Sequence, residues 1–229
     1  MKDFINIGIP SKGRLKIGVL DIFKKKKLKL ISERGERDLI GSIKNKSNFK
    51  ILYLHAREII ERLSDGSVDI GFSGFDLLKE SEIIIQNKIN VVKKLHFGKA
   101  NLVVAIPDPW IDVQTIADLE EIAFEFKDKK KKRLRVATKY PNLTREFLFS
   151  KGVTQFKLID RLGATEAYPF TGSSEIITDI TSTGETLKAN NLRILKDGEI
   201  LRSEACMMIS KSSNNKTGLR KILKLLSKN

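Results

Sequence analysis

The sequence predicts an α/β fold made of two lobes that bind a ligand between them. Short apolar runs alternate along the chain with segments of helical periodicity, which is typical of βα units with largely parallel sheets. A chain of 229 residues is long enough for one large domain or two small ones. The mostly apolar stretch 95–106 stops at Pro107, as expected of a strand that crosses from one lobe into the other, and the βα alternation restarts beyond it.

The elements of the first lobe follow from apolar periodicity and from the residues that stop each run. The loop 10–14 opens an amphipathic helix that ends at the lysines 24–27, and Asp65-Gly66 ends a second helix. In order, we expect a strand over 4–10, a helix after the loop, a strand over 49–54, a helix over 56–63, a strand over 68–72 and a short helix from 75.

The second half of the chain repeats the pattern and then closes with an amphipathic helix. In order, the predicted elements are a helix over 116–126, strands over 134–138, 156–159, 176–180 and 204–209, a helix over 142–150 and a last helix over 219–226. We therefore expect residues 1–96 to form the first part of domain I and 97–208 to form domain II. Residues 209–229 are expected to return to domain I as a C-terminal helix.

Composition excludes several classes of protein. No apolar run approaches the roughly 18 residues of a membrane span, and the basic N-terminal stretch does not resemble a signal peptide, so a cytoplasmic location is expected. The single cysteine, Cys206, excludes an internal disulfide and a thiolate cluster. With only two histidines, His55 and His96, a multi-histidine metal site is excluded as well. We predict no metal held by protein ligands alone.

The charge balance is strongly basic and has three explanations. Lys and Arg number 43 against 28 Asp and Glu, a net charge of +15. A nucleic-acid partner, solvated surface lysine and a pocket for a phosphorylated small molecule would each use such an excess. The aromatic residues are scattered, so the sequence offers no stacking platform for single strands. A nucleic-acid-binding protein and a solute-binding pair of lobes without catalysis remain the rival classes.

The most informative segment is the strand, loop and helix start over 176–187. Asp179 lies at the carboxyl end of a buried strand and suits the hydroxyl groups of a ribose. The backbone N–H groups and hydroxyls that follow could hold a phosphate at a positive helix terminus. A plain strand-loop-helix junction with a Ser or Thr cap explains the spacing equally well. The candidate phosphate ligands are Thr181, Ser182, Thr183, Gly184, Glu185 and Thr186.

A second candidate group is Lys12, Gly13 and Arg14, after the first strand, at the edge where α/β folds bind ligands. Lys and Arg there could grip a diphosphate, although solvated surface charge is the alternative. Other candidates follow strands or lie in polar loops, where a turn, a helix cap or surface charge is the competing explanation. They are Arg34, Ser73, Gly74, Asp76, Lys139, Asn142 and Glu166.

Five ordered segments resemble the ATP phosphoribosyltransferase family, whose members catalyse the first step of histidine biosynthesis. Four of them are 10–15, 68–76, 95–98 and 135–142. The fifth resembles the family signature with no required position missing: Glu166, Gly172, Ser174, Ile177, Asp179, Ile180, Thr183, Gly184, Thr186 and Leu187. The resemblance covers nearly the whole chain.

The resemblance implies a two-domain fold like that of type II periplasmic binding proteins, with 5-phosphoribosyl 1-diphosphate and ATP meeting in the cleft. The reaction would join N1 of adenine to C1 of the ribose and release diphosphate. Asp179 would hold the ribose hydroxyls, and the loop 181–186 would hold the 5-phosphate. Mg²⁺ bound mainly by substrate oxygens, with Lys12 and Arg14, would carry the diphosphate charge. The remaining candidates would line the ATP side or the cleft, and Glu166 would order the loop.

The resemblance also implies partners. Because little chain follows position 226, we expect the short form of the family, which lacks a C-terminal regulatory domain. Such members act with a separate regulatory subunit resembling histidyl-tRNA synthetase, so histidine sensitivity is expected only in a hetero-oligomer with that subunit. A homodimer of this chain is also expected, with no nucleic-acid or membrane partner.

Overall fold

The structure is a computed structural model that describes residues 4–32, 39–160 and 163–227. Its strands, in chain order, are β1 (Ile5–Pro10), β2 (Leu30–Ile31), β3 (Ile40–Ile43), β4 (Lys46–Leu54), β5 (Ile70–Gly74), β6 (Ile89–Lys94), β7 (Ala100–Pro107), β8 (Leu134–Thr138), β9 (Phe156–Asp160), β10 (Ile176–Thr181), β11 (Leu192–Ser203) and β12 (Ala205–Ser210). Its α-helices are α1 (Gly13–Lys25), α2 (Ala56–Ser64), α3 (Phe75–Glu80), α4 (Ile83–Gln86), α5 (Ile116–Lys130), α6 (Pro141–Ser150), α7 (Glu185–Ala189) and α8 (Leu219–Ser227).

The chain divides into two compact units. The first contains Met1–Lys99 and Glu204–Asn229, and the second is the continuous segment Ala100–Ser203. The described part of each unit carries one sheet, with strand order β2-β3-β4-β1-β5-β12-β6 in the first and β11-β7-β10-β8-β9 in the second. The predicted α/β class is therefore confirmed.

The first unit packs helices on both faces of its sheet. One layer joins the isoleucines of β1 to Phe23 of α1 and to the apolar stripe Leu219, Ile222 and Leu226 of α8. The other layer joins the apolar face of α2 to residues of β12, including Met208. Because helices cover both faces of the sheet, both faces of the central strands are buried. Adjacent strand residues point to opposite faces, so apolar residues are favoured at successive positions along these strands and their sequences are nearly continuous apolar runs.

The C-terminal segment is tied to this sheet by a buried carboxylate. Asp69 is fully buried and accepts hydrogen bonds from the Asn6 N–H at 2.8 Å and from the Ser213 hydroxyl. The Lys216 ammonium lies 2.8 Å from Asp69 Oδ1. Since a buried charge needs a partner, this pair holds the chain that leads into α8 against the start of β5.

The second unit has a mixed sheet with parallel β8, β9 and β10. Strand β8 pairs in parallel with both β9 and β10, whereas β7 runs antiparallel to β10 and β11. The predicted strands over 134–138 and 156–159 are confirmed as β8 and β9. The expectation of largely parallel sheets was too simple, because each sheet also carries antiparallel strands.

Two boundary predictions were wrong. The last strand, assigned to domain II, lies in the first sheet as β12, between β5 and β6. All of its residues are buried, so it contributes to both apolar layers of the first unit. The long strand expected over 95–106 is interrupted, since His96 and Gly98 have φ of 60° and 64° and no strand accommodates such values. Strand β6 ends before this break and β7 begins after it.

Candidate active site

The carboxylate of Asp179 is held in one orientation at the end of an interior strand. Strand β10 lies between β7 and β8, and its first three residues are buried, whereas Asp179 is half-buried. Asp179 Oδ1 accepts a hydrogen bond from the Ile180 N–H at 2.8 Å, and Oδ2 accepts one from the Thr165 hydroxyl at 2.7 Å. Two donors thus fix the carboxylate before any ligand arrives.

Thr165 is a residue that the sequence did not single out. It is fully buried in the short 3₁₀ turn Thr165–Ala167, and it precedes the predicted candidate Glu166. Glu166 is half-buried, and among the described residues its carboxylate accepts no hydrogen bond from the loop 181–186. The contact to Asp179 from this turn is therefore made by Thr165.

The loop after Asp179 is braced by its own hydroxyls. Gly184 has φ of +79°, and its N–H donates to Thr181 Oγ1 at 2.9 Å. The Glu185 N–H donates to Thr183 Oγ1 at 3.4 Å, so two of the predicted phosphate-binding amides are used within the loop. A hydroxyl that accepts such a bond keeps its own hydrogen for a ligand. Four side chains of the loop are exposed: Ser182, Thr183, Glu185 and Thr186.

The helix that follows the loop is short. Helix α7 has 5 residues. Few peptide dipoles are aligned in such a helix, so it adds less to anion binding than a full helix would. For binding an anion, the hydroxyls of the loop are therefore the main hydrogen-bond donors at this place.

A buried cluster of threonines ties the next loop to the same strand. Thr138, Thr144 and Thr178 are fully buried, and their hydroxyl oxygens lie 2.6 to 3.1 Å apart. Thr138 Oγ1 also accepts the Tyr140 N–H at 2.9 Å. These bonds connect β8, α6 and β10, and they set the path of the chain between β8 and α6.

That connection brings Lys139 and Asn142 to the same sheet edge as Asp179. Thr138 and Thr178 are paired in parallel register, so the residues that follow them leave the sheet side by side. Lys139 is half-buried and Asn142 is exposed, with its Oδ1 accepting from Arg145 at 3.4 Å. The structure thus groups these two candidates with the loop 181–186.

In the first unit, Lys12, Gly13 and Arg14 form the exposed start of α1. Lys12 is the residue before the helix, with extended backbone and no side-chain cap, and Gly13 has φ of +78°. The first turn of this 13-residue helix contains no acidic residue. The first N–H groups of a helix have no partner within the helix, and together with two cations they make this terminus attractive to an anion.

Ser73, Gly74 and Asp76 lie at the same edge of the first sheet, because Gly8 and Gly71 are paired in parallel register. The prediction that Ser73 follows the strand or caps the helix was wrong. Ser73 lies inside β5, is buried, and donates from its hydroxyl to the Ala56 carbonyl at 2.8 Å. Gly74 precedes α3, where a Cβ atom would clash with the Asp76 carboxylate, and Asp76 is 7% exposed.

Some predictions fall outside these observations. Arg34 lies outside the described residues.

Within the described ranges, no group of three or more His, Cys, Asp or Glu side chains could hold a metal ion. No described helix has both the length and the hydrophobicity that crossing a membrane requires.

Comparison with known proteins identifies the family. The model of the family described as "HisG: ATP phosphoribosyltransferase" matches residues 55–228. The chain belongs to the ATP phosphoribosyltransferase family. It is 39% identical to an ATP phosphoribosyltransferase of Chelativorans sp. over 96% of both chains. It is 43% identical to one from Nitrobacter winogradskyi, over 96% of this chain and 68% of that relative.

Solved structures support the same assignment. The chain is similar to the "ATP phosphoribosyl transferase (HisG:HisZ) complex from Thermotoga maritima", with a TM-score of 0.75, 26% identity and coverage of 97% of this chain and 96% of that chain. It is also similar in fold to the arginine-, lysine-, histidine-binding protein ArtJ of Geobacillus stearothermophilus, with a TM-score of 0.55, 12% identity and coverage of 97% and 87%. The predicted two-domain fold of the periplasmic-binding-protein type is confirmed.

Family membership defines the enzyme class. The protein is a transferase of the phosphoribosyltransferase type. Its family acts at the first step of histidine biosynthesis, as the resemblance implied.

Proposed function

We propose that this chain joins N1 of the adenine of ATP to C1 of 5-phosphoribosyl 1-diphosphate, with Asp179 and the loop 181–186 holding the phosphoribosyl group. The observation that carries this assignment is the carboxylate of Asp179, which two donors orient beside a loop of exposed hydroxyls. A carboxylate accepts from two adjacent ribose hydroxyls, and hydroxyl donors suit a phosphate.

The chemistry needs positioning more than an activated nucleophile. N1 of adenine is a weak neutral nucleophile, so C1 develops oxocarbenium-like charge as diphosphate leaves. Holding both substrates in line and neutralising the leaving group are then the main sources of rate. No serine or cysteine has to be activated for this step.

The leaving diphosphate is assigned to the start of α1. Lys12 and Arg14 supply positive charge there, and the turn at Gly13 exposes backbone N–H groups. Mg²⁺ enters with the phosphoribosyl diphosphate as part of the substrate, bound mainly by substrate oxygens. Mg²⁺ commonly keeps several waters and binds through the phosphates of its substrate.

Other residues are assigned to the ATP side. Lys139 and Asn142 follow β8 at the sheet edge where Asp179 lies, which supports assigning them to the same substrates. The Ser73 hydroxyl donates its hydrogen to the Ala56 carbonyl, so toward a substrate it could act only as an acceptor. The other residues proposed for this side are Gly13, Arg34, Gly74, Asp76 and Glu166.

A regulatory subunit is proposed as partner. Support comes from the similar Thermotoga structure, which is that of a HisG:HisZ complex. The short form, the likeness of that subunit to histidyl-tRNA synthetase, the homodimer and the cytoplasmic location remain predictions. Histidine inhibition should appear only when the second subunit is added, because a feedback site needs a pocket coupled to the reaction.

The test is diphosphate release from ATP, phosphoribosyl diphosphate and Mg²⁺, with and without the candidate regulatory subunit. Asp179→Asn should raise the KM for phosphoribosyl diphosphate or lower kcat by about tenfold or more, since a charged acceptor is lost. Its melting temperature should stay near that of the parent chain. If no combination releases diphosphate and the chain instead binds DNA tightly and in a salt-sensitive way, the protein would be a nucleic-acid-binding protein.

A further inference from the structure

The second unit contains a basic cavity that the proposed reaction does not use. It has a volume of about 730 Å³, within the range of small-molecule sites. Its walls include Trp110, Phe126, Pro107 and Pro169, so a large part of the lining is apolar. The lining also contains five cationic side chains: Lys130, Lys132, Arg133, Arg135 and Lys157.

The cavity lies at the opposite sheet edge from the loop 181–186. Arg135 and Lys157 are the second residues of the parallel strands β8 and β9, and Glu175 immediately precedes β10. The loop follows the other end of β10. At about 3.3 Å per residue, the two ends of that strand are separated by roughly 15 Å, so one small ligand cannot occupy both places.

The charge of the cavity is not neutralised from within. Glu175 is the single acidic residue among its described lining residues, and Arg135 binds it through the guanidinium at 2.6 Å. Lys130 lies 3.7 Å from the centre of the Phe126 ring. Among the described residues, no carboxylate forms an ion pair with Lys132, Arg133 or Lys157. Positive charge in a concave apolar wall favours an anion.

Two further features indicate a formed ligand site. The Oγ atom of Ser174, a lining residue 2% exposed, is buried and has no hydrogen-bond partner among the described residues. The turn that carries Trp110 is held by Arg193, whose guanidinium donates to the carbonyls of Trp110 and Val113. The backbone that carries Trp110 is therefore held before binding, which lowers the entropic cost of association.

We propose that this cavity binds a small organic anion with a flat ring, separately from the substrates of the transferase reaction. The anionic group lies among Lys132, Arg133 and Lys157, and the ring lies against Trp110. Arg and Lys provide charge-assisted hydrogen bonds, and an indole ring provides a flat apolar surface.

Trp110 gives a local readout because the chain has one tryptophan. Phenyl phosphate, titrated into the full chain, should change Trp110 fluorescence saturably, and calorimetry should give the same Kd. Inorganic phosphate should bind more weakly because it has no ring. Arg133→Glu should weaken phenyl phosphate binding by about tenfold or more, the loss expected from a charge-assisted bond.

Two variants separate this site from alternatives. Lys88→Glu makes the same change of charge at an exposed position of the first unit, and it should leave the Kd unchanged. Gly184→Val alters the loop 181–186 and should also leave the Trp110 response intact. The proposal is overturned if neither method detects binding, if Lys88→Glu weakens binding as much as Arg133→Glu does, or if Gly184→Val removes the response.

Discussion

At the residue scale, the contact of the Thr165 hydroxyl with Asp179 leads to a prediction that could not be made from the sequence. Thr165→Val keeps the shape of the side chain but removes the donor to Asp179 Oδ2. We expect kcat/KM for phosphoribosyl diphosphate to fall by about tenfold, because the carboxylate loses one of its two fixed bonds. Steady-state kinetics with Thr165→Ser as the control should show recovery of most of the activity. Equal loss in the Ser and Val variants would refute a role for the hydroxyl.

A second prediction concerns Gly184, whose φ is +79°. Any residue with a Cβ atom would be strained in this backbone conformation. A Cβ atom there would lie 3.8 Å from Ile194 Cδ1, so available space is not the obstacle. Gly184→Val should distort the loop and raise the KM for phosphoribosyl diphosphate. Gly152→Val is the matched control, since Gly152 has φ of +86° and open space around its Cα. That control should lose stability but keep its KM.

At the element scale, the start of α5 carries an acid-sensitive cap. Backbone N–H groups of Gln114 and Thr115 donate to Asp118, and these bonds lower the pKa of its carboxyl below the usual 3.8. A lowered pKa in the folded state gives stability that is present above the unfolded value and is lost as the pH falls. Asp118→Asn should therefore lower the urea midpoint at pH 7, with a difference that shrinks below about pH 3.8. A difference that is constant with pH would contradict this account.

The elements show where sequence periodicity is informative and where it is not. Strand β8 matches its prediction because it is interior and apolar. Strand β11 was not predicted, since Lys196-Asp197-Gly198 looks like a turn. The structure accommodates this segment at a sheet edge, with register shifts between Ile194 and Leu201. Strand β6 was missed for a similar reason, as Val91 and Val92 on this edge strand are exposed.

The candidate site shows the same limit. Asp179 and the loop after it are contiguous in sequence, so strand and loop chemistry could be predicted together. Thr165 is 14 positions from Asp179, and their contact depends on the fold of the intervening turn. The use of the Gly184 and Glu185 amides inside the loop also depends on backbone geometry, which residue types do not define.

At the scale of the whole molecule, the first unit depends on the return of the chain to its sheet. Lys216→Met should leave the carboxylate of Asp69 buried without its cation. We expect a loss of about 2–4 kcal/mol in the free energy of unfolding, measured with urea. Lys211→Met, at an exposed position in the same segment, should have little effect. Equal stability of the two variants would mean that the ion pair does not hold the C-terminal segment.

The second unit begins and ends on neighbouring strands, since Ala100 pairs with Ser203. The flanking chain of the first unit is also joined, because the Leu95 N–H donates to the Ala205 carbonyl at 2.9 Å. The second unit therefore has the connectivity of an inserted domain whose entry and exit points coincide. Recombination at those two points could exchange it for another domain without cutting any strand of the host sheet, as at other tolerant insertion sites.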